Sequence, residues 1–386
     1  NSGELNYVRI EFPGVALSPN NEINGLTMGG VGSGTSIDYV QVSYANDDSF
    51  EWFGGTVNAK HLIAYRGIDD DFDTDFGFSG KVQFGISLRD PAVADVSGSN
   101  GFESDNDATG SSNLPQTRAI FSNMSLSAGA DTTANSLYRQ GVLIRRNSHL
   151  YLYNSIIIGF PQGINIDGSG TQTNVTNDTM VQNNLVTCKY APKYVVTTSP
   201  SANATVISLL QTNAANSFYA DNLTGPNLKK PFSLTKPDFR PLTGSPALSG
   251  GNFSYAGLND PFFTNTNFRG AMGKKASDNW ATVWTNFTPT AGTSDYGAAP
   301  CDCSLSAAKF SPTVSDDAVD VKISPNPVRG QFYADIKGFN GTVNIKVTNM
   351  NGTAVYSAKQ NVAGKANIKI NLNVNEGIYF VNVTDG

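Results

Sequence analysis

A chain of 386 residues exceeds the usual size of one compact domain, so an elongated domain or a large domain with an appendage is expected. Only 15% of residues are charged while 10% are aromatic, which excludes a disordered chain. The net charge of −6 is uneven: residues 1 to 110 hold 17 of the 32 acids against five Lys and Arg, which excludes nucleic acid as a partner and favours cations.

Asn, Thr, Ser and Gly dominate the polar part, and apolar residues at helical spacing are almost absent, so the fold class is all-β and rich in turns. No apolar run approaches the length of a membrane span, and no signal peptide is recognisable. Starting at Asn1 without an initiator Met, the chain reads as a processed or partly observed product.

The first alternating run, LNYVRIEF, begins at Leu5. Gly29 to Gly34 invite a phosphate-loop reading, but no Lys-Ser/Thr follows, so a flexible turn is expected. Three apolar runs then line up. Tyr39, His61 and Val82 open them, at steps of 22 and 21 residues. Asp47 and Asp48 recur as Asp69 and Asp70, Phe50 as Phe72, and Glu51 as Asp73. Short alternating runs at such a period, separated by Gly, Asn and Asp turns, predict stacked strands in a parallel β-helix. Looser repeats follow at AIFSNMSL (119–126), GVLIRRNSHLYLYNSIIIGF (141–160) and NNLVTCKY (183–190).

The stretch DDDFDTDFGFSG (69–80) packs five aspartates into seven positions. In a stacked coil, Asp48 over Asp70 and Glu51 over Asp73 lie about 4.8 Å apart, and each like-charge pair costs roughly 3 kcal/mol at an effective dielectric near 20. Screening, protonation, a wedge from Arg66 or Arg89, or a bound cation would offset that. Calcium suits the hard oxygen donors, with Asp48, Glu51, Asp69, Asp70, Asp71, Asp73 and Asp75 as candidate ligands, and with Asp71, Asp73, Asp75 and Gly77 alternating as in a calcium loop. The alternative is a solvated acidic turn with Phe72 and Phe76 pointing into the coil. A second acidic patch holds Glu103, Asp105 and Asp107.

Turn chemistry dominates FRPLTGSPALSGG (239–251). SDNWATVWTNF (277–287) predicts a short helix capped by Ser277 or Asp278, with Trp280 and Trp284 on one face closing an end of the coil. The expected domains are a coil with its cap over 1–300, a linker over 301–320, and a small immunoglobulin-like β-sandwich over 321–386. Cys188, Cys301 and Cys303 read as incidental thiols or as one bridge from Cys188 to the Cys-Asp-Cys triplet.

The last 66 residues resemble the type A-like C-terminal sorting domain of the type IX secretion system of Bacteroidota, through Ser324-Pro325-Asn326-Pro327, VNIKVTNMNGTAVYS (343–357) and Glu376-Gly377-Ile378-Tyr379-Phe380-Val381. That resemblance implies handling by the type IX machinery and delivery to the outer-membrane surface or the exterior of a Gram-negative cell. FRPLTGSPALSGG, FRGAMG and DNWATVWTNFTP are similar to the end of a pectate-lyase-like right-handed coil. Asp131-Thr132-Thr133 and Asp178-Thr179-Met180 resemble the O-glycosylation pattern of that phylum, marking Thr132 and Thr179.

Three functions fit. The first is a structural or adhesive surface, matrix or filament protein whose open coil ends allow self-association. The second is a calcium-dependent polysaccharide lyase, with Arg66 and Arg89 as candidate bases and Lys60 and Lys81 nearby. A polygalacturonase-type hydrolase is disfavoured: Gly-His-Gly and Arg-Ile-Lys are missing, and NIDG (165–168) matches only loosely. The third is binding of surface polysaccharide without turnover, on a platform of Tyr44, Trp52, Phe53 and Tyr65. His61 and His149 read as packed strand residues rather than catalytic bases.

Overall fold

The computed structural model describes residues 2–14, 23–129, 135–190, 193–199, 203–289, 320–349, 353–374 and 379–385. The chain divides into two compact units, Asn1–Asp295 and Tyr296–Gly386.

The first unit is a parallel β-helix. Its first sheet stacks β1 (Glu4–Glu11), β3 (Ser36–Ser43), β5 (Asn58–Tyr65) and β7 (Lys81–Leu88), and its second stacks β2 (Leu26–Gly29), β4 (Phe50–Phe53), β6 (Phe72–Asp75) and β8 (Phe102–Ser104), every pair parallel. Beyond β7 the long strand of each coil splits in two. β9 (Ile120–Ser122) and β10 (Ser125–Ser127) both pair with β7, and the split continues through β12 (Tyr151–Tyr153) with β13 (Ile156–Ile158), and β15 (Val181–Gln182) with β16 (Leu185–Thr187). The second sheet continues through β11 (Gln140–Ile144), β14 (Gln162–Asp167) and β17 (Val195–Thr198). β18 (Ser217–Tyr219) ends the first sheet.

One backbone feature runs through split and unsplit coils alike. Tyr7, Tyr39, His61, Phe84, Asn123, Asn154 and Asn183 occupy one column, all with φ between +50 and +64°. Each bends its coil at the same point. Asparagine tolerates this left-handed region, while an aromatic residue there is strained. Stacking offsets the strain: ring centroids are 4.5 Å apart for Tyr7 and Tyr39, 4.3 Å for Tyr39 and His61, and 5.3 Å for His61 and Phe84. The asparagines link by amides instead, Asn183 Nδ2 donating to Asn154 Oδ1 at 2.7 Å. The column corrects the repeat: the counterpart of Tyr39 and His61 is Phe84, not Val82, which pairs with Ala59. Inside the second sheet Phe50, Phe72 and Phe102 stack at 5.5 and 5.1 Å. Phe76, expected inside, is 54% exposed in the turn after β6.

Two helices interrupt the later coils, α1 (Ser169–Asn177) and α2 (Ala204–Ser208). Asn203 caps α2 by accepting from the amides of Thr205 and Val206, and Val206 is buried in the coil core.

The chain then returns along the outside of the first sheet as a strap that includes β19 (Leu228–Lys230) and β20 (Asp238–Pro241). A second apolar core forms there, between Ile63, Ile86, Ile156 and Leu185 on the coil and Phe239, Met272 and Ala281 on the strap. Coil residues buried on both faces explain the unbroken apolar run near Ile156. Amides anchor the strap: Gln83 exchanges two bonds of 2.8 Å with Thr264, and Gln41 exchanges bonds of 2.7 and 2.9 Å with Asn286. The expected capping helix is instead a single 3-10 turn, Ala276–Asp278. Trp280 and Trp284 lie against the flank of the aromatic column, 5.0 Å from His61 and 5.8 Å from Tyr39 respectively, rather than over a coil end.

The second unit is a small antiparallel β domain of β21 (Asp320–Arg329), β22 (Gln331–Asn349), β23 (Ala354–Asn371) and β24 (Tyr379–Asp385). Along β22 the buried positions are Phe332, Ala334 and Ile336, then Phe339, Val343, Ile345 and Val347. The switch from even to odd falls at a register shift between Lys337 and Asn340, which turns both halves of the strand toward one core. The linker expected over 301–320 lies outside the described residues except for Asp320.

Candidate functional site

The acids gather on the outward face of the second sheet. Strand register places Thr27, Glu51, Asp73 and Glu103 in one row across four successive coils. The turn before each strand adds a second column. Asp48 Oδ1 accepts the amide of Asp70 at 2.9 Å, and Asp70 Oδ1 accepts the amide of Asn100 at 2.5 Å. Asp48 and Asp70 thus add side-chain hydrogen bonds between coils to those of the backbone.

Two groups of carboxylates converge, Asp48 with Glu51 and Asp73, and Asp47 with Asp48 and Asp69, their oxygens within 4.8 Å of one another. Glu51 accepts from the Asn24 amide. Asp73 Oδ1 is buried without a hydrogen-bond partner, an uncommon state for a carboxylate oxygen. Burial first, and then the neighbouring acids, push Asp48 and Asp73 well above the usual carboxylate range. Burial raises Glu51 and Asp69 to about 8, with the Asn24 bond opposing the rise at Glu51.

Glu103 differs from the acids above it. Arg145 reaches Glu103 and also bonds Asp105 through Nε at 3.0 Å, and Arg146 Nη1 meets Asp105 at 2.7 Å. Asp107, the third acid of that patch, closes its own turn by accepting the amides of Thr109 and Ser111 at 2.9 and 3.1 Å. Neither arginine was expected at the site. Their one trace in the sequence is a basic pair interrupting the apolar run GVLIRRNSHL.

The aspartates of 69–75 do not wrap one ion in sequence order. Asp69 turns toward Asp47 and Asp48, while Asp73 faces Glu51. Asp75 accepts the amide of Phe76 at 2.6 Å. Asp71 lies inside the coil, fully buried, 2.9 Å from an equally buried Arg89. Burial raises Asp71 to about 6 against the pull of Arg89. Arg89 also donates to the carbonyls of Asn100, Gly67 and Ile68, so it holds coils together and has no route to a substrate. Arg66 pairs with Asp90 and lies over the Tyr44 ring at 4.9 Å.

The other candidates scatter. Lys60 donates to Thr264 at 3.1 Å and Lys81 pairs with Asp260 at 2.9 Å, both on the strap side. Trp52 and Tyr65 are fully buried, which removes the stacking platform, and Tyr65 donates to the strap carbonyls of Leu234 and Phe287. His61 meets Asp38 at 2.7 Å and His149 meets Asp178 at 3.1 Å. Thr179 is exposed beside Asp178. Cys188 is a buried free thiol, pushed up to about 11 by burial. Thr132, Cys301 and Cys303 lie outside the described residues.

Among the described residues no helix is long and apolar enough to cross a membrane. Residues 1–228 match the family described as pectate-lyase like beta helix domain, and residues 322–386 match the secretion system C-terminal sorting domain. No curated protein matches the chain. The tail implies a Bacteroidota origin and handling by the type IX machinery. With one family spanning more than half its length, the chain belongs to the pectate-lyase-like β-helix family, and its type IX sorting domain sends it to the cell surface or the extracellular space.

Proposed function

We propose that the protein is a structural or adhesive scaffold of the cell surface or matrix, and that a calcium ion between coils holds its acidic face together. Asp48, Glu51 and Asp73 would supply three carboxylate oxygens, with water completing the shell a hard cation requires. One observation carries this reading: Asp73 Oδ1 is buried and unpartnered between two other acids, whereas the buried Asp71 nearby has Arg89 as its counter-charge. The scaffold reading is supported by Asp48 and Asp70, which serve coil stacking, and by Arg66 and Arg89, both engaged in internal ion pairs.

The test is thermal melting at pH 8 with calcium and with chelator. Calcium at a hundredfold excess over its Kd should add about 2.7 kcal/mol, visible as a rise of several degrees. Identical melting in both conditions sinks the cation. A second reading, uronate lyase or carbohydrate binding, draws support from Arg145 and Arg146 lying next to the acidic row. A calcium-dependent rise of absorbance near 235 nm with uronic-acid polymers would establish the lyase; a flat trace leaves the scaffold.

A further inference from the structure

The acidic row does not end where the coil ends; it ends where a guanidinium begins. Among the described residues no basic side chain pairs with Glu51 or Asp73, whereas Glu103 has Arg145. The same coil changes a second residue. Where earlier coils place Asp48 and Asp70, this one places Asn100, whose amide donates to Asp70 Oδ2 at 3.3 Å and to Glu103 Oε2 at 3.4 Å. An acid is replaced by an amide and a cation is supplied, both at one level of the stack.

We propose that Arg145 is a built-in counter-cation that closes the acidic row and confines a single divalent ion to Asp48, Glu51 and Asp73. The inference rests on the cation reading above. Asp73 lies between Glu51 and Glu103, so an ion has two pairs of acids to bridge, one on either side of it. Arg145 occupies the second. Its Nε bonds Asp105 at 3.0 and 3.3 Å while its terminal nitrogen holds Glu103, a fork geometry that keeps the charge in place without the entropy loss of capturing a free ion. A second divalent ion one coil away would face both the first ion and the guanidinium at about the 4.8 Å coil spacing, where like charges repel.

The test is calorimetric titration of the chelator-stripped 386-residue chain with calcium at pH 8. The unaltered protein should take one ion, Arg145→Lys one, and Arg145→Ala two, because removing the guanidinium leaves Glu103 and the facing side of Asp73 without a positive charge, while Arg146 still pairs with Asp105. Glu103→Gln, which leaves the three proposed ligands in place, should keep one ion with an affinity changed by less than about threefold. One ion at unchanged affinity in Arg145→Ala overturns the role of Arg145, and loss of the ion in Glu103→Gln overturns it even if the alanine variant does not fold. Absence of binding by the unaltered protein overturns the cation reading itself, a different failure from equal stoichiometry in both chains.

Discussion

Asp71, in the turn before β6, and Glu51, on β4, are acids of neighbouring coils, yet their surroundings set them opposite tasks. Asp71 has a buried guanidinium 2.9 Å away, and truncating one partner strands the other. Asp71→Asn should therefore cost about 3–5 kcal/mol in denaturant unfolding. Burial, with like charges around it adding to the rise, lifts the Glu51 carboxyl to about 8 against an ordinary value near 4.5. A raised carboxyl contributes stability below the pKa of the unfolded chain, and that contribution is lost as pH climbs through the folded value. With chelator present, Glu51→Gln should melt alongside the unaltered protein at pH 5 and above it at pH 9. With calcium at pH 8 the order should reverse, since the variant has lost a ligand. A variant that melts lower than the unaltered protein at pH 9 in chelator would refute the sign of this argument.

The left-handed column and the strap over it act as one device at the scale of elements. Asn154 is fully buried; its amide donates to the Asn252 carbonyl at 2.9 Å, and its oxygen accepts from Asn183 and from the Asn252 amide. Asn154→Ala removes these bonds and leaves alanine at φ 52°, so a loss of about 2–3 kcal/mol is expected by chemical denaturation. Trp280→Ala should loosen the strap, exposing its bonds to protease at concentrations that leave the unaltered protein intact. Sequence reading reached the stacking of Phe50 on Phe72 and of Glu51 on Asp73 because those coils repeat every 22 residues, as the strand register confirms. It misplaced the next coil at Val82 because the step from His61 to Phe84 is one residue longer, and after Phe84 the turns vary too much for a period to survive. The strap was illegible for a different reason: Gln41 and Asn286 are 245 residues apart, and nothing local marks an amide that will pair across such a distance. Arg145 meets Glu103 across 42 residues, beyond the reach of a 22-residue repeat. The continuous apolar runs hid the second core, since burial on both faces erases the alternation that shows which side is out.

For the whole molecule, the division into two compact units separates folding from delivery. Among the described residues the coil's core gathers side chains from β2 to β17, from α2 and from the strap but none past 290, and Phe332, Ile345 and Ile370 belong to a core of their own. Removing residues 320–386 should therefore leave the coil folded, with an unchanged β-type circular dichroism spectrum and the same response of melting to calcium. The sorting domain acts at a different step, as the part the type IX machinery handles. Loss of that domain should abolish delivery to the surface or medium in a producing cell, with the folded coil retained inside the outer membrane and found by fractionation. Delivery of the truncated chain at normal levels would show that export information also resides in the coil. An unfolded truncated chain would show instead that the two units depend on each other for stability, contrary to their separate cores.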